Sequence, residues 1–257
     1  MLNLLKKFIF LCGQFYIYPK LTIRSICNLP RFGIDLYQFR KHLGCGWPIQ
    51  IFPVLLDRTE PSSALGEYFW QDLFVAKKII ELDPKRHIDV GSRIDGFIAH
   101  LACVRSVEVF DIRPLSVDIH NLVFVQWDIT NPNDEYQGVA DCVSCLHTLE
   151  HIGLGRYGDK LDPDGWKKGL SSLATLVSQG GQFWLSVPIG IQRIEFNAHR
   201  VFNPKTIINE AIKSNLSLDS FYFLQADVLK KSNDIEADLD RLSKLNYSLG
   251  IYHFRKN

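Results

Sequence analysis

The sequence predicts an α/β protein built on a mostly parallel, doubly wound sheet, and three observations lead to this fold class. Short β-type runs alternate with helical patterns from about residue 82 onward. The first unit, residues 86–111, combines a strand, a glycine-bearing turn, a helix and a second strand that ends in Asp111. Near the end of the chain, strands at 216–224 and 249–254 flank a charged insertion, which favours an antiparallel hairpin at the sheet edge.

The individual elements follow from periodicity and from the residues that begin and end them. Apolar spacing predicts a helix over 65–82, which Asp83-Pro84 would end. Asp162 and Pro163 suit an N-cap and a first helical position, and the helix they open is expected to run to residue 178 before Gly180-Gly181. The other predicted elements are helices at 94–103 and 204–213, strands at 87–90, 107–110, 122–127, 139–145 and 183–187, and a charged surface segment at 230–244.

Length and composition indicate a globular protein with a sizeable core. The 257 residues are 46% apolar and 22% charged, which is ordinary for such a chain. A net charge of +1 gives no electrostatic footprint for nucleic acid, so no nucleic-acid partner is expected. The six cysteines are scattered and several fall in apolar runs, which favours reduced core thiols in a cytoplasmic protein over a disulfide framework.

Residues 1–64 are predicted to form a helical and irregular N-terminal extension to an α/β domain at 65–257. The apolar run at 8–18 is too short to cross a bilayer, which takes about 20 residues. It fits either a lid helix, which is favoured, or peripheral membrane contact through residues 1–30, where lysines lie beside aromatic residues. Residues 31–61 are rich in glycine, proline and aromatic residues, which predicts an irregular connector.

The turn after the first strand indicates a nucleoside cofactor. Asp111 lies twenty residues after Gly91, where nucleoside-binding folds keep a carboxylate for ribose hydroxyls. Gly91 and Gly96 fit a dinucleotide fingerprint, but Arg93 stands where its middle glycine would let the backbone approach a pyrophosphate. S-adenosylmethionine (SAM) has a ribose and an adenine but no phosphate, so it suits this turn better than NAD or FAD. A Rossmann-like unit without a ligand remains the alternative.

Five features at strand ends and turns form a recognisable set: H-I-D-V-G-S at 87–92, Asp111, Asp128, V-A-D-C-V-S-C-L-H-T-L-E-H at 139–151 and S-Q-G-G-Q-F-W-L-S-V-P at 178–188. Together they resemble the class I SAM-dependent methyltransferases, over residues 82–256. The chain is most similar to an uncharacterised methyltransferase-like family, some of whose members are associated with surface-polysaccharide genes. The resemblance implies a Rossmann-like, seven-stranded, mostly parallel sheet with an antiparallel edge strand. The chain departs from the superfamily at Arg93 and Asp95, where glycines are usual.

Ligands of open α/β sheets bind beyond the carboxyl ends of the strands, and the resemblance places SAM there. Asp111 would then hold the ribose hydroxyls with Ile112 against the adenine, and Asp128 with Ile129 would lie near the adenine amino group. Arg93 would pair with the methionyl carboxylate. The full set of expected cofactor-binding residues is Asp89, Gly91, Ser92, Arg93, Gly96, Asp111, Ile112, Asp128, Ile129, Cys145 and Leu146.

The most reactive cluster is expected at His147, Glu150 and His151, which a helix would place on one face. Two imidazoles and a carboxylate can bind a divalent metal, and some small-molecule O-methyltransferases with a similar segment do so. The alternative is general base catalysis, for which a histidine is suited. His151 is the first choice and His199 the second, with Glu150 as a catalytic partner of the cluster. A zinc peptidase fits poorly, because the cluster follows a buried strand of a nucleoside-binding sheet.

The glycine-rich segment at 153–159 reads as a polar substrate loop. Arg156 and Asp159 are expected to hold hydroxyls or a phosphate of the acceptor, with Tyr157 beside them. The expected partner is a small-molecule or glycan acceptor, and the expected reaction is SAM-dependent O-methylation. Two alternatives stay open: a catalytically inactive methyltransferase-like binding or scaffold module, and an NAD(P)-dependent enzyme, which Arg93 disfavours.

Overall fold

The computed structural model describes residues 12–13, 18–42, 49–51, 53–56, 66–116 and 118–257. The chain divides into two compact units, Met1–Ala64 and Leu65–Asn257. Their bounds coincide with those predicted for the extension and the α/β domain, whereas their roles stay predictions. Most of the apolar run at 8–18 lies outside the described residues.

In the described part of the first unit, a helix of 23 residues, α1, extends over Pro19–Lys41. The connector predicted at 31–61 is therefore wrong in its first third, since the helix continues through Pro30 and Gly33. Pro30 removes one intrahelical hydrogen bond and Gly33 carries a propensity cost, so both positions favour the predicted break although the helix runs through them. No helix in the described ranges is both long and apolar enough to cross a membrane.

The second unit is a sheet of eight strands with helices on both faces. Its first half alternates strands and helices, as predicted. The elements are α2 (Glu67–Leu82), β1 (His87–Val90), a π-helical turn (Ile94–Ile98) that runs into α3 (Ala99–Ala102), β2 (Val107–Asp111), β3 (Leu122–Gln126), a short 3-10 helix (Asp134–Tyr136), β4 (Ala140–Leu146) and a second 3-10 helix (Leu149–His151).

The second half contains the antiparallel strands. The elements are α4 (Gly165–Leu176), β5 (Val177–Ile189), a small hairpin of β6 (Arg193–Glu195) and β7 (His199–Val201), α5 (Pro204–Lys213), β8 (Leu216–Gln225), β9 (Val228–Lys231), α6 (Ile235–Leu242) and β10 (Ser248–Lys256). Helix α4 ends earlier than predicted, and β5 runs through Gly180-Gly181 instead of starting after them.

The strand order is β3-β2-β1-β4-β5-β10-β8-β9. Strands β1 to β5 are parallel, while β10 is antiparallel to both β5 and β8. The predicted fold class is thus confirmed, with one extra strand. The charged segment at 230–244 is not only surface: it contributes part of β9 and all of α6, whose Leu239 and Leu242 are buried. The last strand lies inside the sheet, because β8 and β9 form the outer hairpin.

The core lies on both faces of this sheet. Alternate strand residues point to opposite faces: Phe110 of β2 belongs to the same buried cluster as Leu170 of α4 and Ile207 of α5. Its neighbour Val109 belongs to a second cluster, with Ile79 of α2. The predicted core cysteines Cys142 and Cys145 are fully buried and free. With both faces covered by helices, the carboxyl ends of β1 to β4 form one open edge of the sheet, and the candidate site lies there.

Candidate functional site

A cavity of about 190 Å³ opens beyond the carboxyl ends of β1, β2, β3 and β4. Parallel strands of an open sheet bind ligands at this edge. Carboxylates, guanidinium groups, imidazoles and apolar side chains all contribute to its wall. The lining residues are Tyr68, Val90, Gly91, Arg93, Phe110, Asp111, Ile112, Arg113, Trp127, Asp128, Ile129, Thr130, Leu146, His147, Thr148, His151, Ile152, Arg156, Tyr157 and Asp159.

The turn at Gly91 brings the ends of β1 and β4 into contact. Gly91 has a φ of +73°, and a Cβ at this position would lie 2.5 Å from Cγ2 of Thr148. Both the left-handed backbone and the close approach therefore require glycine. Gly91 lines the cavity, and so does Thr148, which a larger residue at position 91 would displace.

Three of the predicted cofactor residues lie behind this wall. Asp89 is fully buried and accepts hydrogen bonds from Ser92 Oγ (2.7 Å), Ser92 N (3.1 Å) and Ser144 Oγ (2.6 Å). Burial raises the pKa of Asp89 to about 7, although these hydrogen bonds act in the opposite direction. Cys145 is fully buried on β4. These residues do not line the cavity; Asp89 and Ser92 hold the turn that does.

Gly96 lies away from the cavity, in the π-helical turn. A Cβ on Gly96 would collide with Oδ2 of Asp72 on α2. This glycine therefore permits close packing of the π-helical turn against α2. Its place in the glycine motif of the sequence is the same for such a packing role as for ligand binding. Asp72 is itself buried beside Gln71, which donates a hydrogen bond of 2.9 Å to it.

Asp111 ends β2 and lines the cavity, as predicted. Both of its carboxylate oxygens accept hydrogen bonds from the guanidinium of Arg113, at 3.1 Å from Nε and 2.7 Å from Nη2. The backbone N–H of Arg113 adds a third hydrogen bond of 2.8 Å. The carboxylate of Asp111 thus lies at the cavity but already forms an ion pair with Arg113, whose side chain is half exposed.

Asp128 and Ile129 follow β3, again as predicted. Oδ1 of Asp128 accepts hydrogen bonds from the backbone N–H and the hydroxyl of Thr130, both at 2.8 Å. This Asx-type turn fixes the carboxylate at the cavity. Ile112, Ile129 and the buried Trp127 give the same side of the cavity an apolar surface.

His147, Glu150 and His151 lie together, but not on one helix. His147 has a φ of +51° and precedes the 3-10 helix that contains the other two residues. Its Nδ1 donates a hydrogen bond of 2.8 Å to Oε1 of Glu150, while Nε2 of His151 is 3.7 Å from the same oxygen. Within the described residues, no three His, Cys, Asp or Glu side chains are arranged to hold a metal ion. The two imidazoles lie around the buried carboxylate of Glu150, and His147 is hydrogen-bonded to it.

The pKa values of His147 and His151 are shifted in opposite directions. Burial acts to lower the pKa of His147, but the charge and hydrogen bond of Glu150 outweigh it, so the pKa of His147 is raised. For His151 burial prevails and the pKa is lowered. His151 Nδ1 lies 2.7 Å from the carbonyl oxygen of Ala198, which can only accept, so Nδ1 carries the proton. The lone pair of neutral His151 is consequently on Nε2.

His199, the second predicted base, does not line the cavity. It is half-buried on β7, with its ring centroid 6.4 Å from that of His151 and its Nε2 3.7 Å from Oε2 of Glu195. It flanks the first candidate base and has no direct access to the cavity. Glu150 also stands behind the wall, beneath both histidines.

The loop at 153–159 lines the cavity through Arg156, Tyr157 and Asp159. Asp159 accepts hydrogen bonds from the backbone N–H groups of Gly153 (2.7 Å), Gly155 (3.2 Å) and Tyr157 (3.2 Å). Its carboxylate therefore folds the loop, while the guanidinium of Arg156 donates a hydrogen bond of 2.8 Å to the carbonyl oxygen of Ala198. The Tyr157 ring lies between two guanidinium groups, 4.7 Å from Arg113 and 5.1 Å from Arg156.

Arg200 on β7 anchors the chain on both sides of this loop. Its buried guanidinium donates to the carbonyl oxygens of Glu150 (3.3 Å), Ile152 (2.6 Å) and Pro163 (3.2 Å). Burial lowers the pKa of Arg200. The Arg200 side chain thus fixes the segment that contains His151. Because Arg200 lies 50 residues after Glu150 in the chain, the sequence around either residue does not indicate this contact.

Eight cavity residues were not predicted as site residues: Tyr68, Val90, Phe110, Arg113, Trp127, Thr130, Thr148 and Ile152. Tyr68 comes from α2, where apolar spacing indicated a core position. Its ring lies 4.8 Å from that of His147 and 5.2 Å from the guanidinium of Arg93. Trp127 and Thr130 flank the predicted Asp128, so proximity to that residue was the available signal.

Comparison with known proteins agrees with this architecture. Residues 115–215 match a family model described as "Caenorhabditis protein of unknown function, DUF268". No curated protein sequence matches the chain. Among solved structures, the chain is similar to a 1,6-didemethyltoxoflavin-N1-methyltransferase of Burkholderia thailandensis with bound S-adenosylhomocysteine, at 14% identity, a TM-score of 0.50, and coverage of 74% of this chain and 79% of that one.

Two further structures give the same result. A putative sarcosine dimethylglycine methyltransferase of Galdieria sulphuraria is 13% identical, with a TM-score of 0.51 and coverage of 73% and 85%. A SAM-dependent methyltransferase of Clostridium acetobutylicum ATCC 824 is 12% identical, with a TM-score of 0.50 and coverage of 75% and 93%. At these identities the likeness concerns the fold. The unit Leu65–Asn257 has the fold of the class I SAM-dependent methyltransferases.

Proposed function

We propose that this protein is a SAM-dependent methyltransferase that methylates a hydroxyl oxygen of a saccharide or another polar small molecule. One observation carries the proposal: a single cavity joins Asp111 and Asp128, at the ends of β2 and β3, to the unprotonated Nε2 of His151. Carboxylates at these strand ends suit a nucleoside, and a neutral imidazole beside them suits proton removal from an acceptor.

The cavity residues fit the chemistry of SAM. Asp111 would hold the ribose hydroxyls, Asp128 would face the adenine amino group, and Ile112 with Ile129 would cover the adenine ring. The absence of a side chain at Gly91 lets Thr148 lie beside it on the cavity wall. Arg93 would hold the methionyl carboxylate, since its present partner, the exposed Asp95, lies outside the cavity. The cofactor supplies an electrophilic methyl group, and the protein's part is to align the acceptor and take its proton.

His151 is the residue proposed to take that proton. Its lowered pKa keeps the imidazole neutral near pH 7, and the Ala198 carbonyl fixes the tautomer with the lone pair on Nε2. The proton of the acceptor hydroxyl passes to Nε2 as the oxygen gains the methyl group. Glu150 Oε1, 3.7 Å from Nε2, stabilises the imidazolium that results.

The acceptor is proposed to lie between His151 and the 153–159 loop. The guanidinium of Arg156 donates a hydrogen bond of 2.8 Å to the backbone carbonyl oxygen of Ala198. It can also bind oxygen atoms of the substrate that is methylated. Tyr157 offers an aromatic face of the kind on which sugar rings stack. Both side chains are exposed at the mouth of the cavity.

The test is transfer of label from methyl-labelled SAM to a panel of monosaccharides, oligosaccharides and hydroxylated small molecules. The wild type is expected to label at least one acceptor. His151→Gln, which keeps a similar volume, is expected to lose about a hundredfold or more in rate, as general bases contribute on this scale. Its affinity for S-adenosylhomocysteine should not change. Equal rates for the wild type and His151→Gln would refute the assignment of the base.

One observation favours a second candidate, an inactive methyltransferase-like binding module. Both oxygens of Asp111 are held by Arg113, so the carboxylate proposed for the ribose already has a partner. A folded wild type that binds neither SAM nor S-adenosylhomocysteine would favour this candidate, and so would binding without transfer to any acceptor.

A further inference from the structure

Beyond the proposed enzyme, the helix of the first unit carries an exposed apolar surface. Ile23, Ile26, Pro30, Ile34 and Tyr37 recur every three or four residues along α1, so they form one face, named here the apolar stripe. Each of these side chains is exposed, and none of the residues of α1 is buried. A stripe of this kind is normally covered, because helices bury their apolar face.

The opposite face of α1 is only partly covered, because Leu21 (40%) and Phe39 (62%) on that side are exposed as well. Ser25, Asn28, Phe32 and Leu36 also recur at helical spacing and are partly buried. Asn28 donates a hydrogen bond of 2.6 Å to the carbonyl oxygen of Leu55, in the same unit. Part of this face therefore contacts its own unit, while every side chain of the apolar stripe is exposed.

Charge indicates what the stripe binds. Helix α1 has five basic residues, Lys20, Arg24, Arg31, Arg40 and Lys41, against one acidic residue, Asp35. Lys20 and Arg31 project on one side of the apolar stripe, and Arg40 on the other side, by the 100° turn of each helical residue. Apolar side chains flanked by cations fit an anionic bilayer surface, where the side chains enter the headgroup region and the cations meet lipid phosphates.

We infer that α1 lies in the plane of an anionic membrane surface, with the apolar stripe inserted between lipid headgroups. The helix is 23 residues long and would extend about 35 Å along that plane. This places the chain at the membrane without a span, in agreement with the hydropathy of the helices in the described ranges. The inference does not depend on the proposed catalytic site.

The test is co-sedimentation of the full chain with vesicles of equal parts phosphatidylglycerol and phosphatidylcholine, compared with phosphatidylcholine alone. The apolar variant is Ile26→Ser with Ile34→Ser, at side chains that are 60% and 56% exposed. Its matched control is Val104→Ser with Ile212→Ser, which removes apolar side chains that are 62% and 59% exposed in the second unit.

The wild type and the control are expected to sediment with the anionic vesicles and not with pure phosphatidylcholine. The apolar variant should bind about tenfold more weakly or worse, as expected for loss of inserted apolar surface. Raising the salt concentration to about 0.5 M should weaken wild-type binding, because the lipid charge is then screened. Failure of the wild type to bind anionic vesicles, or equal losses in the variant and its control, would overturn the inference.

Two further measurements detect other occupants of the stripe. If the apolar variant lowers the unfolding temperature and the control does not, the stripe packs against its own chain. If sedimentation equilibrium shows a wild-type dimer that the apolar variant dissociates, a second copy covers it. Either result would overturn the membrane assignment.

Discussion

The substitution Gly91→Ala tests how the ends of β1 and β4 build the cavity wall. Two costs add at this position. The left-handed backbone at φ +73° costs an L-residue about 1–2 kcal/mol. The new Cβ would lie 2.5 Å from Thr148 Cγ2, and overpacking of this kind typically costs about 1–3 kcal/mol. Gly91→Ala should therefore destabilise the protein by about 2–5 kcal/mol, the sum of these two ranges.

The structure provides a matched control at Gly180. Its φ of +74° is almost the same, but a Cβ there would have no atom within 4 Å. Gly180→Ala should therefore show the backbone cost alone, about 1–2 kcal/mol. Thr148→Ser removes the Cγ2 methyl group, so adding it to Gly91→Ala should recover most of the overpacking cost.

The assay is urea denaturation, which gives the free energy of unfolding of each protein. The wild type, Gly91→Ala, Thr148→Ser and the double variant form a double-mutant cycle, and Gly180→Ala is measured beside them. Favourable coupling of about 1 kcal/mol or more between Gly91→Ala and Thr148→Ser is expected. If Gly91→Ala costs no more than Gly180→Ala, or if Thr148→Ser recovers nothing, the proposed contact between the two strand ends is refuted.

Three further predictions concern catalysis and cofactor binding. Because His151 acts as a base and burial lowers its pKa below 6.5, the rate constant of methyl transfer should be constant near pH 7–8 and fall only at more acidic pH, as a pH-rate profile would show. Arg200→Lys cannot span the carbonyl oxygens of Glu150 and Pro163 together, so kcat should fall while the affinity for S-adenosylhomocysteine, measured by calorimetry, stays unchanged. Arg113→Gln frees Asp111 from a half-exposed ion pair worth about 0–1 kcal/mol, so calorimetry should show cofactor affinity rising by up to about fivefold.

Each of these predictions has an outcome that would contradict it. A transfer rate that keeps falling from pH 8 to pH 7 would mean that the base has a raised pKa and is another group. For Arg200→Lys, an equal loss of cofactor affinity and kcat would indicate general unfolding of the site. Weaker cofactor binding in Arg113→Gln would show that Arg113 contacts the cofactor instead of competing with it.

The parts of the site that sequence predicts are those fixed by local chemistry. Asp111 is the last residue of a strand, and Gly91 and Asp128 follow the ends of strands. A β-type run followed by a turn residue or an acid can be recognised in the sequence. Parallel pairing then brings those strand ends to one edge of the sheet. Their presence in one cavity therefore follows from strand order, which the alternation of strands and helices indicates.

Residues whose roles depend on distant partners were not predictable. Gly96 satisfies a fingerprint by spacing, yet it packs against Asp72 of a preceding helix. Arg200 acts through carbonyl groups that lie tens of residues away. His147 is not helical, because its backbone adopts a φ of +51° directly after β4. The spacing of residues 147, 150 and 151 in the sequence does not reveal such a turn.

Long-range pairing also explains the differences in the fold. Strand β5 begins at Val177, where Ala140 of β4 pairs with it, and ladder pairing with β4 and β10 resumes at Gln182, just after Gly180-Gly181. The two glycines therefore do interrupt the ladder, at a register shift between Ala140 and Cys142 of β4, but the extended strand continues on both sides of them. Helix α1 similarly continues through Pro30 and Gly33 into a segment whose composition indicated irregular structure.

Calorimetric titration with S-adenosylhomocysteine tests the central proposal most directly, which is that the cavity at the ends of β1 to β4 binds an adenosine cofactor. The wild type is expected to bind in the micromolar range, and Asp111→Asn to bind about tenfold more weakly, through loss of charge-assisted hydrogen bonds. The control Asp118→Asn changes an exposed aspartate outside the cavity and should bind like the wild type. Folded wild-type protein that releases no heat, or an Asp111→Asn affinity equal to that of the control, would contradict the cofactor assignment.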